Sequence, residues 1–146
     1  MTKFEKLMDC VVNSDISYLK TAYKPLPAQS VRVKGSSAIV FNEEAFETDA
    51  EKYVALAHEK AHCDGNIFYT TNSPLLTRGY CERHAWRRTI LDVLPFDRLM
   101  TAVETCKGAD GLTLHDLSEC LDLPCDFVEF ALQEYICMGE SLEEGN

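Results

Sequence analysis

Two histidines four residues apart, His58 and His62, with Glu59 directly after the first, form the densest chemical pattern in the chain. On an α-helix, residues four apart share one face a turn from each other, so both imidazoles can reach a single cation. Glu59 is rotated about 100° from His58, so it can border that cation without ligating it. A carboxylate there can accept a proton from an attacking water and pass it to a leaving amine. The chemistry implied is metal-assisted hydrolysis.

A catalytic zinc usually takes three protein ligands and keeps one position open, so a further ligand must come from elsewhere. Glu82, His84 and Asp92 are the candidates in the next helical stretch. Glu82 shares a face with Ala85, Trp86 and Thr89. Small Ala85 permits close approach there, and Trp86 and Ile90 can anchor the contact. His84 lies about 200° round the helix from Glu82, so only one of the two can face the metal. Spacing favours Glu82 and leaves His84 as the alternative.

Tyr69, in the stretch between the ligand helices, is the nearest phenol able to stabilise an oxyanion; simple packing of Phe68 and Tyr69 is the plainer role. Cys63 and Cys81 adjoin proposed ligands, but helical neighbours point about 100° apart, which argues against a four-ligand structural site. His115 is a lone histidine in an acidic segment and is assigned no role.

The elements that must hold these groups can also be read. Residues 49–62 carry good helix formers, with Thr48 or Asp49 as N-cap and Gly65 just beyond the end. Ser73-Pro74 starts a second helix running towards Val93, with Gly79 a weak point inside it and Pro95 breaking it. Upstream, residues 3–23 place Phe4, Leu7, Met8, Val11 and Val12 at helical spacing, extended by Tyr18, Leu19 and Ala22. The spacing predicts one or two helices ended by Pro25 and Pro27. Val31 and Val33 alternate with Arg32 and Lys34, and a Gly35-Ser36-Ser37 turn leads into residues 38–41, a hairpin over 31–41. Its edge is either ordinary sheet or a rail for an extended substrate. Downstream, Phe96 to Cys106 reads as a helix stopped by Gly108 and Gly111. Thr113 then caps a helix that turns at residues 122–124 into a last one, fraying from Gly139.

At 146 residues, 46% hydrophobic and 26% charged, the chain has the composition of a globular protein rather than a disordered or fibrous one. Residues 1–95 are expected to form the catalytic core and 96–146 an acidic helical segment packed on it. Residues 104–146 hold 11 acidic side chains and one basic, Lys107, whereas 1–103 hold 13 of each. Such a block repels a phosphate backbone. The last helical pair has the apolar spacing of a helix-turn-helix, yet its second helix offers Asp126, Glu129 and Glu134 with no Lys or Arg, so direct nucleic-acid binding is not expected. Residues 1–12 lack the uncharged apolar core of a signal peptide, and no stretch approaches the roughly 20 apolar residues of a membrane helix. The expectation is a cytoplasmic protein without membrane partners, with its seven cysteines reduced and mostly acting as small core hydrophobes.

The chain resembles the ImmA/IrrE family of metallopeptidases, in particular its small phage-associated members. The resemblance covers roughly residues 30–137 and rests on the order of HEKAHC at 58–63, Phe68-Tyr69, Ser73-Pro74, Glu82 with Ala85 three residues on, and Leu94-Pro95. The family commonly reads HELGH, where this chain has Lys60 and Ala61; Arg88-Thr89 also stands in place of an aromatic-Ala pair. The resemblance implies an α+β fold, a mainly helical zincin-like core with a small antiparallel sheet and a C-terminal helix-turn-helix-like segment. It further implies a zinc endopeptidase with His58, His62 and Glu82 as ligands and Glu59 as general base. Its substrate would be a helix-turn-helix repressor governing a mobile element or stress response. Manganese or another divalent ion suits the same donors. The alternative is a non-catalytic anti-repressor that grips a basic DNA-binding partner through its acidic helices.

Overall fold

A computed structural model describes residues 1–22, 26–106 and 111–144, with the side chains of 140–144 left aside. Pro25, Lys107 and Gly108, given roles above, lie outside the described residues. The chain is α+β and divides into two compact units, Met1–Thr89 and Ile90–Asn146.

In the first unit, α1 (Lys3–Val12) is capped by Thr2, whose hydroxyl accepts from the Glu5 N–H. It stops where the Ser14 hydroxyl donates to the Val11 carbonyl and accepts from the Ile16 N–H. That turn redirects the chain into β1 (Ser17–Lys20), where the sequence suggested a second helix. Four residues are too few to separate the two periods, and pairing with another strand decides the matter.

β2 (Ala28–Val33) and β3 (Ser36–Phe41) form the expected hairpin. Its turn is Lys34-Gly35, both with positive φ (51° and 82°), the backbone of a tight two-residue hairpin in which glycine is favoured. The sheet order is β1-β3-β2, with β1 parallel to β3 and β2 antiparallel to it. The sheet is therefore mixed, which corrects the antiparallel expectation; β1, unforeseen as a strand, is the parallel member.

Buried Ile39 and Phe41 alternate with half-buried Val40 along β3 and face a core containing Phe4, Val11, Ile16, Leu56 and Cys63. After a short 3-10 turn at Glu43–Ala45, α2 (Asp49–Asp64) begins at Thr48, whose hydroxyl accepts from Glu51 N–H. It packs on α1, β2 and β3. α3 (Leu75–Val93) then starts in the first unit and ends in the second.

The second unit continues with α4 (Phe96–Thr105), α5 (Leu114–Leu121) and α6 (Cys125–Glu144). α6 runs past Gly139, where fraying was expected. Asp122 takes the left-handed conformation (φ 54°) after α5, and the Leu123 N–H closes on the Ser118 carbonyl while the Ser118 hydroxyl donates to the Leu123 carbonyl. The Tyr135 hydroxyl donates to the Leu94 carbonyl. The reduced-thiol expectation is corrected at one pair: α4 and α5 are in contact, and Cys106 and Cys120 are joined as a disulfide. Of the five free cysteines only Cys63 is buried, so most are not core hydrophobes. No helix among the described residues is long and apolar enough to cross a membrane.

Candidate metal centre

His58 and His62 of α2 are both buried, 7% and 4% exposed, and the α3 side chains Glu82, Trp86 and Thr89 reach their rings. Buried imidazoles without partners are costly, and here each ring has one on both sides. Glu82, from α3, sets Oε2 3.0 Å from His58 Nε2 and Oε1 3.1 Å from His62 Nε2. All three donor groups lie within 4.8 Å of one another, close enough to hold a metal ion. Two imidazole nitrogens with one carboxylate form a donor set of the kind that divalent ions accept.

The other ring nitrogens fix which atoms face this point. His62 Nδ1 lies 2.7 Å from the Ile67 carbonyl oxygen, where an N–H donates and leaves the Nε2 lone pair free for a cation. This contact follows from how α2 ends. Asn66 adopts the left-handed conformation, its N–H reaches the Cys63 carbonyl and the Ile67 N–H reaches the His62 carbonyl, a Schellman closure. A Cβ at Gly65 would sit 2.7 Å from Ile67 Cδ1, so a larger residue there would displace the Ile67 side chain.

His58 Nδ1 lies 3.4 Å from Thr89 Oγ1, which itself donates to the Ala85 carbonyl at 2.8 Å. The Thr89 oxygen can therefore accept the His58 Nδ1–H. Trp86 stacks on the His58 ring with centroids 3.9 Å apart. The sequence marked Thr89 only as a departure in helix packing, and its role as the His58 acceptor was missed. The available signal was its place two turns after Glu82 on the same face of α3.

Glu59 is buried beside the cluster, 9% exposed, and is not one of the three converging donors. Burial pushes its carboxyl above the usual range, while His58 and His62 and the Ser30 hydroxyl pull the other way. Burial also pushes Glu82 up, but hydrogen bonds from His58, His62 and Tyr69 outweigh it and hold that carboxyl well below the ordinary value. The Tyr69 hydroxyl donates to Glu82 Oε1 at 2.7 Å, and burial followed by that bond pushes the phenol up to about 12. Tyr69 is thus at the centre, engaged with a candidate ligand.

A cleft of about 390 Å³ opens onto these groups, lined by Ala28 to Ser30 of β2, the Ile67 to Tyr69 loop, and Trp86. His84, the alternative ligand, is exposed and stacks on Tyr80, and Asp92 is exposed. Lys60 pairs with Asp64 one turn on, and Ala61 is buried, so neither departure from HELGH enters the donor set. No family model, curated protein or solved structure matches the chain.

Proposed function

We propose that this chain is a zinc-dependent endopeptidase with a zincin-like core. The observation that carries the reading is the convergence of His58, His62 and Glu82 within 4.8 Å, with a buried carboxylate, Glu59, beside but outside that set. Zinc, when bound, supplies polarisation of the scissile carbonyl and of the attacking water.

The remaining work belongs to the chain. Glu59, its basicity raised by burial, accepts the proton of the attacking water and delivers it to the departing amine. When Glu82 turns its oxygens to a cation, the Tyr69 hydroxyl is released to donate to the developing oxyanion. β2 lies at the sheet edge, and its Ala28, Ser30 and Arg32 alternate with the residues that exchange ladder bonds with β3. An extended peptide can pair with those outward backbone groups above the cleft.

The likeness to the ImmA/IrrE metallopeptidases, carried by the motifs quoted above, points to a helix-turn-helix repressor as substrate. Residues 104–146, with 11 acidic side chains and one basic, suit docking of such a basic protein. We read α5 and α6 as a helix-turn-helix-like pair turned to protein rather than DNA. The same charge favours the second reading, a cytoplasmic anti-repressor that binds the repressor without cutting it.

The repressor-like product of a neighbouring gene, incubated with zinc-loaded protein, separates the two. The peptidase gives fragments that vanish with chelator, and Glu59→Gln keeps zinc while losing about 10²–10⁴-fold in cleavage. Salt-sensitive binding without fragments favours the anti-repressor.

A further inference from the structure

His58 and His62 converge on one carboxylate, yet their rings are held by different means. His62 is fixed by the turn after its own helix, through the Ile67 carbonyl at 2.7 Å. His58 is held from α3, by the stacked Trp86 ring and by Thr89 Oγ1 at 3.4 Å. Trp86 and Thr89 follow Glu82 by four and seven residues, so one face of α3 carries a candidate ligand and both of these contacts to another.

The two contacts constrain different motions. The Trp86 and His58 rings lie 3.9 Å apart at 20°, which fixes the imidazole plane. Stacking is indifferent to a half-turn about χ2, which keeps that plane but exchanges Nδ1 with Cδ2 and Nε2 with Cε1, turning carbon to the cation. A hydrogen bond to a ring nitrogen separates the two orientations. The Thr89 hydroxyl proton goes to the Ala85 carbonyl at 2.8 Å, so its oxygen meets His58 as an acceptor, selects Nδ1–H and leaves the Nε2 lone pair to the cation. Thr89 is 0% exposed, so bulk water does not compete for that oxygen.

We propose that Trp86 and Thr89 are paired positioning residues for His58: Trp86 sets the plane of the ring, and Thr89 sets which edge of it faces the cation. The pairing rests on the metal centre of the peptidase reading, and zinc affinity measures it without any substrate.

Competition titrations of the full chain, with zinc shared against a chromophoric chelator, test the pair. Thr89→Val keeps the branching of the side chain without its oxygen and should weaken zinc by about 10–100-fold, the cost of losing an outer partner of a ligand. Thr89→Ser restores the hydroxyl and should recover most of that loss. Trp86→Leu should weaken zinc by about 2–10-fold, the worth of an aromatic pair, and Trp86→Phe by less. In the Trp86→Leu background, Thr89→Val should cost less than in the wild type, because a ring free to tilt no longer presents Nδ1 to the hydroxyl.

Proton–nitrogen spectra of the zinc-loaded chain supply a signature that packing alone would not move. The His58 Nδ1–H signal should lie downfield in the wild type and in Thr89→Ser and shift upfield in Thr89→Val. The His62 Nδ1–H, bonded to the Ile67 carbonyl, should stay in place. Wild-type zinc affinity in Thr89→Val overturns the proposal, as does a loss that Thr89→Ser fails to recover. Losses that simply multiply in the double variant overturn the pairing, and a wild type that binds no zinc overturns it together with the metal centre. If the variants follow this order and no peptide is cut, the peptidase reading fails and the positioning roles stand.

Discussion

In residues 1–89 the buried side chains His58, Glu59, His62 and Thr89 gather on two helices, and the imidazoles are bonded on both sides. In residues 90–146 the buried polar side chains among those described are Ser118 and Glu134, and Ser118 serves only to close the end of α5. Surface charge divides the other way. The first unit holds 12 basic and 11 acidic side chains, the second 2 basic and 13 acidic. One region concentrates polarity inside, where each group must be matched and the match sets donor geometry. The other carries an unbalanced field outside, which steers partners without fixing any one atom.

The most severe way to break this comparison is His62→Ala. In the wild type, zinc at about 100 times its dissociation constant should stabilise the protein by about 2.7 kcal/mol. In the variant that gain should vanish, and hydrolysis should fall by well over the roughly 10–100-fold that losing an outer partner of a ligand costs. Thermal melts with and without zinc, beside a zinc titration, check it; an undiminished zinc shift would remove the metal from His62.

Leu99→Ala strikes the other region. Leu99 is 1% exposed, so truncation should destabilise by about 2–5 kcal/mol. If the division into two units is energetic as well as geometric, zinc affinity measured below the melting transition stays at the wild-type value. A parallel fall in zinc affinity would show that the two regions do not divide the work.

The parts of this arrangement that were legible in the sequence are those set by short-range rules. The 58–62 spacing, the Thr48 cap and the Pro95 break each depend on a few neighbouring residues, and each appears where expected; the hairpin turn, expected at Gly35-Ser36-Ser37, falls one residue earlier at Lys34-Gly35. What was illegible depends on partners far along the chain. Ser17–Lys20 is a strand because β3 lies beside it, and Thr89 matters because His58, 31 residues earlier, needs an acceptor. The Cys106–Cys120 bond likewise follows from α4 meeting α5, which no spacing rule announces. Glu82 was legible as one of three candidates; the exposure of His84 and Asp92 separates it from them.

Tyr69→Phe sharpens the picture at intermediate size. Removing the hydroxyl deletes its 2.7 Å bond to Glu82 Oε1. As an oxyanion donor it should cost about 10²–10³-fold in kcat, with KM and zinc affinity close to wild type. A loss confined to zinc affinity would make it a positioning residue for Glu82 instead.

The smallest effect expected is at Ser30, buried on β2 beside Glu59. Its hydroxyl favours the ionised form of Glu59, while burial favours the protonated form. The base works only when ionised, so activity falls as pH drops through its pKa. Ser30→Ala removes a lowering influence, the pKa rises, and the acid limb of kcat/KM must move to higher pH by an amount set by one hydrogen bond, about 0.5–1.5 kcal/mol or up to roughly one pH unit. Activity on the plateau above that limb should stay the same, because the hydroxyl bonds to none of the three candidate ligands. A pH profile of the variant beside the wild type decides it: a limb that stays in place, or moves to lower pH, would mean that a group other than Glu59 carries the proton.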